Sequence, residues 1–290
     1  MNLRAAQVGA VGSLIADSRH RGLHDRGGRG GLVNSSASPK RSSLRFFLLV
    51  FALSIPIWLI EPQDWPLTAS VGTPLIAALI LVYREDGYAG TSKLLRRVFD
   101  QKRIKPKIWY MPTIFLLPII YLLTYEVTRL TGLPLPDKPY VPLLMIPLLF
   151  VLFFILAIGE EVGWTGYATD PVQERWSALT TSITLGLVTA IWHFVPLIEM
   201  GHTPTWIAWW TLGTVALRTL TVWLYNNTGR SLFAAIIFHA MSNISFAVFP
   251  NYGSHWDPAV AGAITAIAAV IVTFLWGSKT LARYRYTGSR

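Results

Sequence analysis

Residues 148–167 read LLFVLFFILAIGEEVGWTGY, an unbroken apolar run that closes on two adjacent acids, Glu160 and Glu161, and continues through small and aromatic residues. A water-exposed helix would interleave a polar face with an apolar one, and no polar face exists here before the acids. Runs of similar character recur near 44–61, 67–83, 109–131, 141–159, 178–198, 205–225, 231–249 and 258–277, with polar or Pro/Gly breaks between them. A bilayer is crossed by about twenty mostly apolar helical residues, so the pattern predicts an all-α fold, a polytopic transmembrane helical bundle of about eight spans. Composition agrees: 52% of the 290 residues are hydrophobic and 14% are charged. That leaves too few polar side chains to cover a water-soluble globule of this size.

A net charge of +10 would suit nucleic acid only if the basic residues shared one folded face. They sit instead in tails and in loops between apolar runs, so the expected surroundings are a lipid bilayer and no nucleic-acid partner is expected. Eight spans place the N-terminal tail, the loop from Arg84 to Lys107, the loops holding Arg175 and Arg230, and the C-terminal tail on one side. The opposite loops carry Glu61, Asp64, Asp137, Lys138, Glu199 and Asp257. By the positive-inside rule both termini face the cytoplasm, and a bacterial cell membrane is the expected location. The cluster Lys93, Arg96, Arg97, Lys102, Arg103, Lys105 and Lys107 reads as a topology determinant near anionic headgroups. Trp58, Trp65, Trp109, Tyr110, Trp256 and Trp276 end apolar runs and read as interfacial anchors.

The expected organisation is a disordered basic tail over 1–43, N-terminal spans with the basic loop over 44–140, a core over 141–250, and a last span with a basic C-terminal tail over 251–290. The chain has no cysteine, which removes disulfides, thiolate metal sites and thiol nucleophiles.

Ionisable groups inside apolar spans each cost a few kcal/mol or more and so point to function by default. Here they are Glu126, Glu160, Glu161, His193, Arg218 and His239. Glu126 lies near a span end and is expected to reach water or pair with Arg129. Successive helical residues point about 100° apart, so one of Glu160 and Glu161 can face the bundle interior while its neighbour makes a different contact. Two acids in a dry site cannot both ionise cheaply, which suits a general base or acid; the competing account is an interfacial acid pair. His193 alone reads as a hydrogen-bonded packing residue. His239 and Asn243, spaced i and i+4, share a helix face and suit either an interhelical hydrogen-bond pair or joint donation to an oxyanion.

Together these residues make a more specific pattern. Glu160-Glu161 followed by Trp164 and Gly166, then Trp192-His193, Trp223-Leu224-Tyr225, Thr228-Gly229 and His239-x-x-x-Asn243 resembles the CAAX protease and bacteriocin-processing family of intramembrane proteases, over roughly residues 141–250. The resemblance implies an intramembrane endopeptidase with its catalytic core in the C-terminal half. It implies Glu160 as the base that activates water, His193 as the group that holds that water, Glu161 as support, and His239 and Asn243 as the oxyanion hole. The implied substrate is a peptide or a membrane-anchored protein. The family pattern places an Arg five residues after the first Glu; this chain has Thr165 there, and Arg218 is expected to take over that role. No cofactor is expected, with one open alternative, a divalent metal held by Glu160, His193 and His239. His-Glu-x-x-His, paired intramembrane Asp residues and a Gly-x-Ser-Gly word are all missing, which argues against zinc, aspartyl and rhomboid-type chemistry. Two readings from other classes stay in play: a proton or cation relay of a transporter, and a non-catalytic immunity or adaptor protein.

Overall fold

The computed structural model describes residues 41–60, 69–138 and 140–282, which hold helices and connecting turns and no strand. In chain order the helices are α1 (Ser43–Ile60), α2 (Thr73–Arg96), α3 (Tyr110–Leu130), α4 (Ile146–Gly163), the single turn α5 (Asp170–Gln173), α6 (Ala178–Glu199), α7 (Pro204–Asn227), α8 (Leu232–Ala247) and α9 (Pro258–Trp276). The eight long ones correspond to the eight apolar runs. Residues 1–40, 61–68 and 283–290, which include nearly all of the basic N-terminal tail, the end of the C-terminal one and Trp65, lie outside the described residues.

Five stretches are long and apolar enough to cross a membrane on their own: Ser43–Ile60, Lys107–Leu130, Leu143–Gln173, Ala178–Glu199 and Pro258–Trp276. Helices α2, α7 and α8 fall outside that set. The apolar α8 has 16 residues, α7 buries Arg218, Thr219 and Thr221 among neighbouring helices, and α2 carries charges from Arg84 onward. Neighbouring helices cover Arg218 of α7 and most of α8, whereas most charges of α2 stay exposed in its C-terminal half.

Helix starts follow local chemistry. Proline occupies the first turn of α2, α4, α7 and α9, where its missing N–H leaves nothing unsatisfied. Ser177, Thr203, Ser231 and Asp257 cap α6, α7, α8 and α9 with side-chain acceptors. Two boundaries differ from the sequence expectation. The second run does not stop near 83: α2 continues to Arg96 across a kink at Gly87 (φ 64°), through a polar stretch that ends on Lys93-Leu94-Leu95-Arg96. The fourth does not stop at 159 either. Glu161 finds partners inside the bundle and Glu160 faces a cavity, and the chain runs on through a π-helical segment, Trp164–Thr169, into α5.

Helix α4 lies between α2 and α8, and α7 packs against α6 and α9. Backbones come close at small residues: a Cβ added at Gly163 would sit 2.5 Å from the carbonyl oxygen of Pro74, and one at Gly262 would sit 2.9 Å from that of Trp209. Aromatic residues fill the α1–α4–α6 contact, where the Trp164 ring lies 5.4 Å from Phe46 and 6.0 Å from Trp192. Trp58, expected at the interface, belongs to this core at 8% exposure, packed 6.4 Å from Trp192. Its apolar body is satisfied by neighbouring rings instead of headgroups.

Candidate active site

Glu161 is almost fully buried and bonded through both carboxylate oxygens. Oε2 accepts from the Thr165 hydroxyl one turn on, in the π segment, and from the Arg218 guanidinium at 2.9 Å. Oε1 accepts from Nδ1 of His239 at 2.9 Å. Arg218, itself 6% exposed, therefore supplies the cation that the Thr165 position lacks, reaching in from α7. The Thr165 hydroxyl also lies 3.4 Å from that guanidinium. A carboxylate in an apolar interior holds its charge only with such saturation.

Glu160 points elsewhere, as the 100° step between neighbours requires. Its nearest ionic neighbour is Nε2 of His239, at 3.8 Å, beyond hydrogen-bond distance. His239 thus stands between the two acids, bonded to one and facing the other.

His193 is oriented by its neighbours. The Trp192 indole N–H donates to Ser54 Oγ at 2.8 Å, and Ser54 Oγ is 2.6 Å from Thr73 Oγ1, which fixes the rotation of α6 against α1 and α2. The next residue then turns toward the cavity. Nδ1 of His193 lies 2.8 Å from the Thr189 carbonyl, an acceptor, so it carries the proton, and in the neutral ring Nε2 keeps its lone pair. Trp192 and Trp210 flank the imidazole, with ring centroids 4.5 and 5.1 Å away.

Glu160, Glu161, His193, His239, Asn243 and Arg218 all line one cavity of about 500 Å³. Every residue singled out as a catalytic candidate is brought together there. The Asn243 amide makes no hydrogen bond to another described residue, and it faces the cavity one turn beyond His239. Among the described residues no group of three or more His, Asp or Glu is placed to hold a metal ion, and Glu160, His193 and His239 do not form one. Glu126 is bonded to Arg129 at 2.7 and 2.9 Å near the end of α3, away from the cavity. Ser231 caps α8 and donates to Asp100 at 2.7 Å, a structural use of its hydroxyl.

Sequence reading missed several contributors. Asp100 accepts from Ser231 and from the backbone N–H groups of Leu232 and Phe233, fixing the start of the helix that carries His239. Arg97 donates to the Gly166 and Arg230 carbonyls and to the Tyr225 hydroxyl. Their only signal in the sequence was a charge beside a long apolar run.

Residues 142–245 match the model of the family described as type II CAAX prenyl endopeptidase Rce1-like. Over 187 residues, which cover 59% of this chain and 68% of the relative, the sequence is 28% identical to CAAX prenyl protease 2 of Methanococcus maripaludis. The matched segment runs from the start of α4 into α8 and contains all five candidate catalytic residues. The family match and the relative indicate a protease, and with the apolar helices they indicate an integral membrane protein acting on a protein or peptide.

Proposed function

We propose that this Rce1-like chain is an intramembrane endopeptidase that cleaves a peptide bond of a membrane-associated protein or peptide with a water activated by Glu160 and His193. The observation that carries the proposal is the inequality of the two acids: Glu161 is saturated, while Glu160 and the Nε2 lone pair of His193 face the same cavity with bonding capacity to spare.

A water held by Nε2 of His193 gives a proton to the Glu160 carboxylate as its oxygen adds to the peptide carbonyl carbon. Negative charge then develops on the former carbonyl oxygen. Asn243 donates to it from Nδ2, and the protonated form of His239, with Nδ1–H kept on Glu161, donates from Nε2. Collapse breaks the C–N bond as Glu160 returns the proton to the leaving amine. Glu161, Arg218 and Thr165 are positioning residues, because they act by fixing the His239 ring. A dry cavity strengthens each of these polar interactions. The distribution of basic residues supports cytoplasmic termini, with the loops holding Arg97 to Lys107, Arg175 and Arg230 on the same face.

The test is Glu160→Gln in purified protein, with cleavage of a panel of membrane-protein peptides read by mass spectrometry. The expected result is loss of about 10²–10⁴-fold in cleavage rate with an unchanged melting temperature. Undiminished cleavage by the Gln variant would remove Glu160 from the mechanism.

A further inference from the structure

The geometry points to a phospholipid site outside the peptidase cavity: a recess framed by Lys102, Lys105 and Lys107 takes the phosphate of an anionic lipid whose acyl chain lies along α3. Neither the peptidase activity nor the direction in which the chain crosses the bilayer bears on it.

The recess lies in the connection between α2 and α3. It has a volume of about 430 Å³ and is lined by the three lysines with Gln101, Ile104, Pro106 and Tyr110. Bonds to the rest of the bundle fix its frame. Asp100, at its start, accepts from the Ser231 hydroxyl and from the backbone N–H groups of Leu232 and Phe233, which ties the turn to the first residues of α8. Arg103 donates to the Gly229 carbonyl at 3.2 Å, and Ile104 is buried. The Tyr110 hydroxyl donates to the Gln101 carbonyl at 3.3 Å and so joins the two ends of the recess. A basic loop that served only to set topology would need its charges and no such frame.

The charges of this segment fall into two groups. Asp100 is the one acid between residues 97 and 107, and guanidinium nitrogens of Arg97 and Arg103 stand 4.0 and 3.5 Å from it. Its charge is therefore committed. Lys102, Lys105 and Lys107 are exposed and form no ion pair with a described residue. Three ammonium groups on one small concave surface leave a positive potential, which a phosphate neutralises through charge-assisted hydrogen bonds.

The adjoining surface selects the source of that phosphate. An apolar stretch long enough to cross a membrane begins at Lys107 itself, so the recess stands at the edge of the hydrocarbon region, at headgroup level. From there Ile108, Met111, Phe115, Ile119 and Leu122 are all exposed, and their spacings of three and four place them on one helix face. A headgroup seated in the recess sets its acyl chain on that stripe. A free phosphate ion would gain from the lysines alone, and a zwitterionic headgroup would bring its own cation against them.

The test is a lipid titration of the full-length protein in neutral detergent, with phosphatidylglycerol and phosphatidylcholine as probes and bound lipid counted by native mass spectrometry. The parent protein is expected to bind phosphatidylglycerol more tightly than phosphatidylcholine. A lysine near a membrane surface is worth about fivefold in affinity for anionic lipid, so the triple variant Lys102→Gln/Lys105→Gln/Lys107→Gln is expected to weaken phosphatidylglycerol by about 100-fold. Lys93→Gln/Arg96→Gln/Arg175→Gln removes as much charge from other exposed positions and is expected to bind like the parent. Excess inorganic phosphate, at an ionic strength matched with chloride, is expected to leave the lipid in place. Should the lysine triple variant fail to fold, each single Lys→Gln variant is expected to show its own loss of about fivefold. Undiminished binding by the lysine variants would overturn the proposal, as would an equal loss in the control triple, equal affinity for the two lipids, or displacement of the lipid by inorganic phosphate. No turnover is involved, so failure here and undiminished cleavage by Glu160→Gln are distinct results.

Discussion

One wall of the cavity carries Glu161 and Arg218, joined to each other, to His239 and to Thr165, which does not itself line the cavity, by hydrogen bonds that use both carboxylate oxygens. The other carries Glu160, His193 and Asn243, where the acid accepts no hydrogen bond from a described residue, the imidazole keeps a lone pair, and the amide is unbonded among the described residues. Both walls spend the same scarce residue types in an apolar bundle, and one peptide bond separates their acids. What differs is saturation. A saturated buried charge fixes geometry, and an unsaturated one facing a cavity is available to a water or a substrate.

The largest expected effect comes from breaking the saturated wall. Arg218→Leu leaves the Glu161 carboxylate buried without its cation, which is expected to cost about 3–5 kcal/mol of stability, read by thermal unfolding in detergent. Adding Glu161→Gln to Arg218→Leu is expected to recover part of that loss, because no buried charge is then left unpaired. If Arg218→Leu melts with the parent protein, the ion pair does not hold this wall.

The unsaturated wall should respond in the opposite sense. Asn243→Ala removes an amide that bonds to nothing else described, so stability is expected to stay within about 0.5 kcal/mol. Cleavage is expected to fall by about 10²–10³-fold, the cost of one oxyanion donor. A stability loss comparable to that of Arg218→Leu would move Asn243 to the structural wall.

Much of this contrast was legible in the sequence, for identifiable reasons. Ionisable residues are so costly in apolar spans that Glu160, Glu161, His193, Arg218 and His239 stood out singly, and the missing Arg at Thr165 directed attention to Arg218 as the partner of Glu161. Which acid was saturated could not be read, because it depends on how far α4 is rotated against α7 and α8. The π segment that sets Thr165 against Glu161 has no sequence signature distinct from that of an α-helix. Helix ends were misjudged where polar residues continue the helix, as in α2 beyond Arg84. Trp58 was misplaced because a tryptophan near a span end suits a headgroup or an aromatic core equally well, and only packing against Trp192 decides between them.

A smaller effect separates the two partners of Glu161 Oε2. Thr165→Val keeps the shape and removes the hydroxyl, leaving Glu161 with Arg218 and His239. The expected loss is about 1–3 kcal/mol, and Thr165→Ser, which keeps the donor, should restore most of it. If Val and Ser behave alike, the position matters for packing in the π segment and its hydroxyl is incidental.

The smallest effect belongs to a pair with nearly the same geometry and different surroundings. Glu126 and Arg129 are 2.7 Å apart, as close as Glu161 and Arg218 at 2.9 Å, but their side chains are 41% and 58% exposed. Water solvates each of them whether or not the other is present, so Coulomb attraction is screened and little is lost on separation. Glu126→Gln is expected to change stability by about 0–1 kcal/mol and to leave cleavage unchanged. With distance held nearly constant, the difference between this variant and Arg218→Leu measures what burial adds to an ion pair in this fold. Equal losses from the two would mean that proximity alone sets the strength of the Glu161–Arg218 pair, and the division between a structural and a reactive wall would have to be sought elsewhere.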